Sequence, residues 1–374
     1  MTQQFEQKIV RSSCPYCGVG CGVDVTTINS VPTAVKGTET HPANLGRLCV
    51  KGSNLIQTVD LDGRLLHPMI ADKPVDWEQA TLHVADKFQQ TIKKYGSDSV
   101  AFYVSGQLLT EDYYIANKLM KGFIGSANID TNSRLCMSSA VAGYKRAFGS
   151  DTVPCSYEDL DHTELLVLVG SNAAWTHPVL FQRMEKAKLA NPDVKIIVID
   201  PRRSATAELA DFHLPLKAGS DVALFNGLLH YLIQHNAIDN NYINAHCEGW
   251  STTAAGVAQS DIDNTALLCD LSPEQLTQFY QLFADSKSSV TFYSQGVNQS
   301  SQGVDKCNAI INCHLATGKI GKLGSGPFSI TGQPNAMGGR EVGGLANMLA
   351  AHMNIEDQSH QQLVQEFWQS PTIC

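Results

Sequence analysis

Four cysteines crowd the start of the chain in a pattern that few folds accommodate. Cys14, Cys17 and Cys21 lie in Cys14-Pro-Tyr-Cys17-Gly-Val-Gly-Cys21-Gly, and 27 residues separate them from Cys49 in Arg47-Leu-Cys49-Val-Lys51-Gly. Three thiols within eight residues plus a distant fourth can cage a cubic [4Fe–4S] cluster. Gly18, Gly20 and Gly22 let the backbone wrap closely, because glycine tolerates positive φ and leaves room for the inorganic sulfides. A cluster of this kind moves electrons, so the chain reads as a redox protein. Zinc sites pair two C-x2-C knuckles, or one such knuckle with two histidines. Here the second half offers Cys49 alone, and the first half holds a third cysteine that zinc does not need. A disulfide knot suits neither the length nor the polar opening residues.

The 374 residues are 43% hydrophobic, ample for a buried core and for two or three domains. A formal charge of −9 stands against a nucleic-acid partner, which needs a basic surface. No apolar run approaches the ~18 residues of a membrane span. The opening Met1-Thr-Gln-Gln-Phe-Glu-Gln-Lys shows neither a twin arginine nor an apolar leader, which predicts a cytoplasmic protein. In that compartment the eleven cysteines are reduced thiols or metal ligands.

Along the chain, residues 1–58 read as a small cluster-binding domain with short β-type runs. Helical periodicity covers 77–95 and 111–124, the latter stopped by Gly125, and 99–104 reads as a buried strand between them. Apolar strands are expected at 164–170 and 194–200 and one more strand at 288–294, with helices at 178–189, 220–234 and 304–317. Strand, helix and strand in succession make a βαβ unit and hence a parallel sheet. The glycine-rich stretch 321–344 reads as loop.

Ligands of parallel α/β sheets sit at the carboxyl ends of the strands. Those ends are Gly170-Ser171-Asn172, Asp200-Pro-Arg202-Arg203 and Gly296-Val-Asn-Gln299. Asp200 can accept from ribose hydroxyls or a base edge, and Arg202 can neutralise phosphate. No G-x-G-x-x-G and no G-x-x-x-x-G-K-S/T accompanies them, so an ordinary NAD or ATP site is poorly supported, and plain polar loops are the competing reading. Cys136 opens a helical run, where the macrodipole favours a thiolate; spacing alone makes it a buried thiol as readily as a ligand. Lys51, directly after the fourth cysteine, is either a surface lysine or a cation that tunes the cluster.

Taken together and in order, the two cysteine segments, Asn132-Ser-Arg-Leu-Cys136-Met137, Gly170-Ser-Asn172, Asp200-Pro-Arg-Arg203, Gly219-Ser-Asp221, Gly296-Val-Asn-Gln299 and Thr331-Gly-Gln-Pro-Asn-Ala-Met-Gly-Gly-Arg340-Glu resemble the molybdopterin oxidoreductases that carry bis-molybdopterin guanine dinucleotide. Within that family the pattern is most similar to the assimilatory nitrate reductases of the bacterial cytoplasm. The resemblance spans the whole chain. It implies an α/β fold with a small N-terminal iron–sulfur domain, followed by parallel-sheet, Rossmann-like α/β domains: 1–58 for the cluster, 59–150 as the first segment of a second domain, 151–320 as a dinucleotide-binding domain, and 321–374 returning to the second.

Carried over by position, the resemblance implies that Cys14, Cys17, Cys21 and Cys49 hold the cluster and that Lys51 lies between cluster and pterin. Cys136 ligates molybdenum, and Arg340 positions an anionic substrate. Gln107, Asn132, Gly170, Ser171, Asn172, Asp200, Arg202, Gly219, Asp221 and Gln299 fall in segments that contact the cofactor; so does Gln295, where periplasmic relatives tend to have methionine. Related formate dehydrogenases follow the metal ligand with a histidine base. Met137 cannot act as a base, which favours oxygen-atom transfer from nitrate over C–H oxidation. The implied partners are nitrate and an electron donor: an NADH-linked flavoprotein, a ferredoxin or a flavodoxin. Members of the family continue beyond the point matching Cys374, so the chain reads as a truncated piece of a catalytic subunit, inactive alone.

Overall fold

Five short, mostly buried strands pair side by side and set the frame of the molecule. The computed structural model describes residues 6–374; Met1–Phe5, part of the stretch read for a leader, lie outside the described residues. The five strands form one parallel sheet in the order Phe212–Leu214, Lys195–Ile199, Leu165–Val169, Ser289–Tyr293, Gly326–Ser329. Leu165–Val169 and Ser289–Tyr293 are buried at every position. Both faces of a parallel sheet are covered, so such strands carry no polar alternation.

The period of two still sorts side chains between two cores. Leu165, Val167, Val169, Ile197 and Ile199 face one core with the helices Ser138–Phe148, Asp221–Gln234, Pro273–Asp285 and Gly303–Ala316. Leu166, Leu168, Ile196, Val198, Val290 and Phe292 face the other, which they share with Leu180 and Met184 of the helix Pro178–Ala190 and with Cys14, Val19, Cys21 and Val23. The cysteine segment is thereby built into one face of the main sheet.

That segment is the loop of a hairpin. Gln7–Ser13 pairs with Gly22–Ile28, and Ser13 faces Gly22 across the loop that carries Cys14, Cys17 and Cys21. Gly22–Ile28 then pairs with Val31–Gly37 through a two-residue turn, Asn29-Ser30, both at positive φ as a tight hairpin of this hand requires.

Several expectations change in the structure. The stretch 321–344 is no plain loop: it contributes the buried edge strand Gly326–Ser329 and the short helix Ala336–Glu341. Its glycines permit close packing, since a Cβ on Gly326 would meet Cys155 Sγ at 2.7 Å. The expected buried strand at 99–104 is only Phe102–Val104, half exposed, because its sheet has a single further strand, Ile129–Thr131. The helix Trp77–Tyr95 beside it buries no residue. The expected helix 111–124 is Thr110–Lys118 followed by a wider π-type stretch, Leu119–Ile124, ended by Gly125 in the left-handed region. Residues 240–285, assigned no element from sequence, hold four helices. The last of these starts with a capping box, Ser272 with Gln275.

One buried cation tests the packing. Lys319 Nζ donates to the Phe283 carbonyl (2.8 Å) and to Ser286 Oγ (3.0 Å), and sits 4.2 Å from the Phe283 ring centre. Burial pushes its pKa down to about 8, below the value of a free lysine. Between these two values the unfolded chain binds the extra proton, so stability rises with pH through this window. Urea unfolding at pH 7.5 and 9 is expected to show Lys319→Met losing about 1 kcal/mol of that rise relative to the parent. An identical pH slope in both proteins would refute the assignment.

Candidate functional site

The cysteine loop is closed by its own backbone. Cys14 N–H donates to the Cys21 carbonyl (2.8 Å) and Gly20 N–H to that of Cys17 (3.3 Å), with Gly20 at φ +68°. Asn44 clamps the far side: its Oδ1 accepts from Gly22 N–H (2.9 Å) and its Nδ2 donates to the Gly22 carbonyl (3.0 Å). The Tyr157 hydroxyl reaches the Gly18 and Val19 carbonyls, each at 3.1 Å. Cys49 arrives from the other side, immediately before the helical turn Val50–Ser53.

Burial pushes Cys14 and Cys17 up and Cys21 up to about 12; Cys49 adds to the rise at all three, Cys14 at Cys17 and Cys21, and Cys17 at Cys21. The amides of Tyr16 and Val19 and the Lys51 ammonium pull the other way on Cys14 and Cys17. Four such groups become thiolates together only around a cationic centre that replaces their protons. Among the described residues no three His, Cys, Asp or Glu side chains converge tightly enough to grip a single ion. The mutually coupled thiols of a glycine-lined loop fit the all-thiolate donor set of a [4Fe–4S] cluster.

Cys136 lies across the molecule's central seam from that loop. It ends the turn Asn132–Leu135, and the helix Ser138–Phe148 follows. Gln295 Nε2 donates to its Sγ at 3.0 Å, and Thr331 Oγ1 is 3.9 Å away. Thr331 belongs to both halves of the site. Its carbonyl accepts from His177 Nε2 (2.7 Å), which fixes the proton of that neutral, wholly buried imidazole on Nε2, while Nδ1 accepts from Thr176 Oγ1 (2.9 Å). The next residue, Gly332, accepts from Gly18 N–H at 3.1 Å. A Cβ on Gly18 would lie 2.2 Å from the Thr331 carbonyl oxygen. Lys51 stands near this seam, 5.9 Å from the Tyr16 ring centre and close enough to depress the pKa of His177.

Chain order in the sheet reverses between Leu165–Val169 and Ser289–Tyr293, the switch point where parallel sheets bind ligands. The two strands end in a backbone crossing: Gly296 N–H donates to the Gly170 carbonyl (2.9 Å), and a Cβ on Gly170, itself at φ +52°, would fall 2.7 Å from Gly296 Cα. Beside it Ser171 Oγ is buried with no partner, an orphan donor fitted to a bound group. Asn172 Oδ1 accepts from Thr206 Oγ1 (2.9 Å), and Asp200 Oδ1 accepts from Arg202 N–H (2.9 Å). Gln299 Nε2 donates to the Leu135 carbonyl (2.6 Å), joining this end to the Cys136 turn. Asn132 Oδ1 accepts from Gly106 N–H (2.8 Å), which brings the exposed Gln107 loop alongside.

Four expected residues sit differently. Met137, expected beside the metal, is packed into the main core at 2% exposure, and the half-buried Cys136 packs against the same core. Asp221 is not free for a ligand: Lys306 Nζ lies 2.7 Å from its Oδ2, both nearly buried. Gly219, at φ +92°, shapes the turn before it. Arg340 is buried and its Nε lies 3.0 Å from Asp151 Oδ2 without hydrogen-bond alignment. Burial lowers its pKa, while Asp151, Glu341 and Cys136 raise it, so it stands within electrostatic reach of Cys136. It opens on a pocket of about 130 Å³ that Arg134, Lys145, Ser133, Ser138 and Met348 also line. Sequence reasoning missed His177, Asp151, Lys145 and Lys306, which occupy no recognisable motif.

No described helix is long and apolar enough to cross a membrane. The profile of the molybdopterin oxidoreductase Fe4S4 domain matches residues 7–61 and that of molybdopterin oxidoreductase matches 64–368. The chain is 56% identical to a nitrate reductase of Klebsiella oxytoca over 365 residues, covering 97% of this chain and 41% of that protein. It is 52% identical to a nitrate reductase of Shewanella frigidimarina (98% and 40%) and 38% identical to a periplasmic nitrate reductase of Desulfovibrio desulfuricans (98% and 50%). The chain thus spans about half the length of these relatives, or less. The acetylene hydratase of Pelobacter acetylenicus shares the fold, with a TM-score of 0.72 over 82% of this chain and 42% of that one at 22% identity. With cysteines and strand ends that fit a [4Fe–4S] cluster and a molybdenum-bearing pterin, the chain belongs to the molybdopterin oxidoreductase family.

Proposed function

We propose that this chain carries the electron inlet and the metal-binding wall of a molybdenum nitrate reductase that turns nitrate into nitrite. The observation that carries the reading is the seam at Thr331–Gly332, where the cysteine loop and the Cys136 turn meet through adjacent residues. Under it Cys14, Cys17, Cys21 and Cys49 hold the cluster and Cys136 ligates the metal. Gly170, Ser171, Asn172, Asp200 and Gln299 line a bis-molybdopterin guanine dinucleotide. When bound, the molybdenum cofactor supplies the two-electron, oxygen-transfer chemistry. The protein's own part is orientation, charge and the exclusion of bases.

The Cys136 surroundings support nitrate over formate. The side chains on its sulfur are the Gln295 amide and the Thr331 hydroxyl, and neither takes a proton at neutral pH. Arg134, Lys145 and Arg340 around one small pocket favour an anion, a property nitrate and formate share, so it is the missing base that separates them. Cys17 and Cys49 are half-buried and Val50 is exposed, which offers a donor protein a short approach to the cluster. The resemblance of the motifs supports the cytoplasmic assimilatory type, supplied by a flavoprotein, ferredoxin or flavodoxin.

A chimaera with this chain in place of the matching part of the Klebsiella protein is expected to reduce nitrate with a reduced dye and to leave formate unoxidised. Formate turnover without nitrate turnover overturns the reading, and iron without molybdenum in that protein points to a pure electron-transfer role. Cys136→Ser in the same protein should cost more than the roughly 10–100-fold that losing a supporting residue costs, with the cluster's EPR signal intact. A second test needs no turnover. Gly18→Ala places a methyl group against the Thr331 carbonyl, so iron bound per chain after anaerobic reconstitution should fall well below that of the parent. Full iron loading would show that the seam does not shape the loop.

A further inference from the structure

Lys121 is wholly buried and, among the described residues, forms no ion pair. It lies in the π-type stretch Leu119–Ile124, a widened turn of the kind that recurs where a helix serves a site. Its three N–H groups find three acceptors: the carbonyls of Gly343 (2.8 Å), Leu345 (2.9 Å) and Met348. One turn earlier Asn117 Nδ2 donates to the Val342 carbonyl (2.8 Å). Gly343, at φ +76°, passes so close that a Cβ would stand 2.6 Å from the Leu349 carbonyl carbon and 2.9 Å from Asn117 Nδ2. Burial pushes the lysine pKa down to about 7, opposed by Asp130, and the ring of carbonyl dipoles favours the ammonium.

The loop held in this way leads directly from Arg340 and walls the anion pocket. Leu345, Asn347 and Met348 line it opposite Arg340. Asn347 Oδ1 accepts from Arg134 Nη2 (3.3 Å), and Met348 Sδ is 3.6 Å from Lys145 Nζ. Both pocket cations outside Arg340 are therefore spaced by residues of this loop.

We propose that Lys121 is a positioning residue for the pocket beside Cys136: its ammonium fastens the 343–348 loop, and through that loop sets the places of Arg134, Lys145 and Arg340. The proposal deepens the nitrate-reductase reading, which decides only what the pocket receives. The clasp itself is tested without turnover.

Lys121→Ala leaves three carbonyls facing a gap that n-propylammonium, the missing part of the side chain, can fill. In the 374-residue chain, amide exchange over 342–349 should rise by roughly tenfold or more, while the five-stranded sheet keeps its protection. Added n-propylammonium should restore the slow exchange and n-propanol should not. Unchanged exchange, or equal rescue by the alcohol, overturns the clasp. In the chimaera, Lys121→Ala should raise the KM for nitrate with kcat little altered; a fall in kcat alone would leave Lys121 a fold support and refute the positioning role. Should the variant not fold, acetylation of the unaltered chain decides, since Lys121 must stay unlabelled while exposed Lys145 reacts, and equal labelling refutes the burial on which the clasp rests. A chimaera inert toward nitrate whose exchange responds as expected would sink the substrate reading and leave the clasp standing.

Discussion

The two halves of the site are joined by the contact of Thr331 and Gly332 with Gly18. One residue offers its carbonyl to a buried histidine and its hydroxyl to the neighbourhood of Cys136; the next accepts an amide from the cysteine loop. The approach is closer than any side chain permits, so it depends on the absence of a Cβ at Gly18. Because Gly326–Ser329 is a strand of the main sheet, Thr331 emerges from a rigid element. The geometry that relates the cysteine loop to Cys136 is thus set by the sheet rather than by a mobile loop.

The same logic recurs at the switch point. Gly170 and Gly296 cross with backbone nearly touching backbone, which holds two strand ends closer than ordinary residues allow. The polar groups that radiate from that crossing, Ser171, Asn172 and Gln299, start from fixed positions. Asn172 and Gln299 are satisfied within the protein, whereas Ser171 keeps a buried hydroxyl without a partner. A buried hydroxyl without a partner carries a cost that a bound group would remove. The glycines set the frame from which these polar groups start.

The sheet and the cluster loop were legible in the sequence because each has a local signature. The runs at 164–170 and 194–200 are apolar at most positions, 288–294 carries the β-branched and aromatic Val290, Thr291, Phe292 and Tyr293, and the cysteine spacing is its own motif. What escaped was set by tertiary contact. Glycine density at 321–344 suggested a loop, yet those glycines serve tight packing around an edge strand. Helical period at 77–95 was correct, but period does not say that the stripe is only partly covered, with Phe88 and Ile92 packed against Val100, Met120 and Ile129 and no residue of the helix fully buried. Met137 was read from its place next to Cys136, and adjacency in sequence does not show that its side chain is buried in the main core. Lys121, Lys306 and Lys319 look like surface lysines in any window, and only the folded chain surrounds them with carbonyls or a carboxylate.

Those lysines follow a common physical rule. A buried ammonium is tolerated only where its donors are met, so each marks a place where the fold has fixed several acceptors around one point. Lys319 ties the end of the helix Pro273–Asp285, Lys306 holds Asp221 at the start of Asp221–Gln234, and Lys121 gathers the loop behind Arg340. In a chain of net charge −9 none of them adds to a basic surface. They act instead as internal ties that hold carbonyls or a carboxylate around one point, and they stand at the ends of the elements that carry the site. Replacing one with an apolar residue of equal volume would save the desolvation of the charge but strand its carbonyl or carboxylate partners. The cost therefore falls on the position of a loop as well as on the stability of the core, which is why a residue with no contact to substrate can still govern where substrate-facing cations stand.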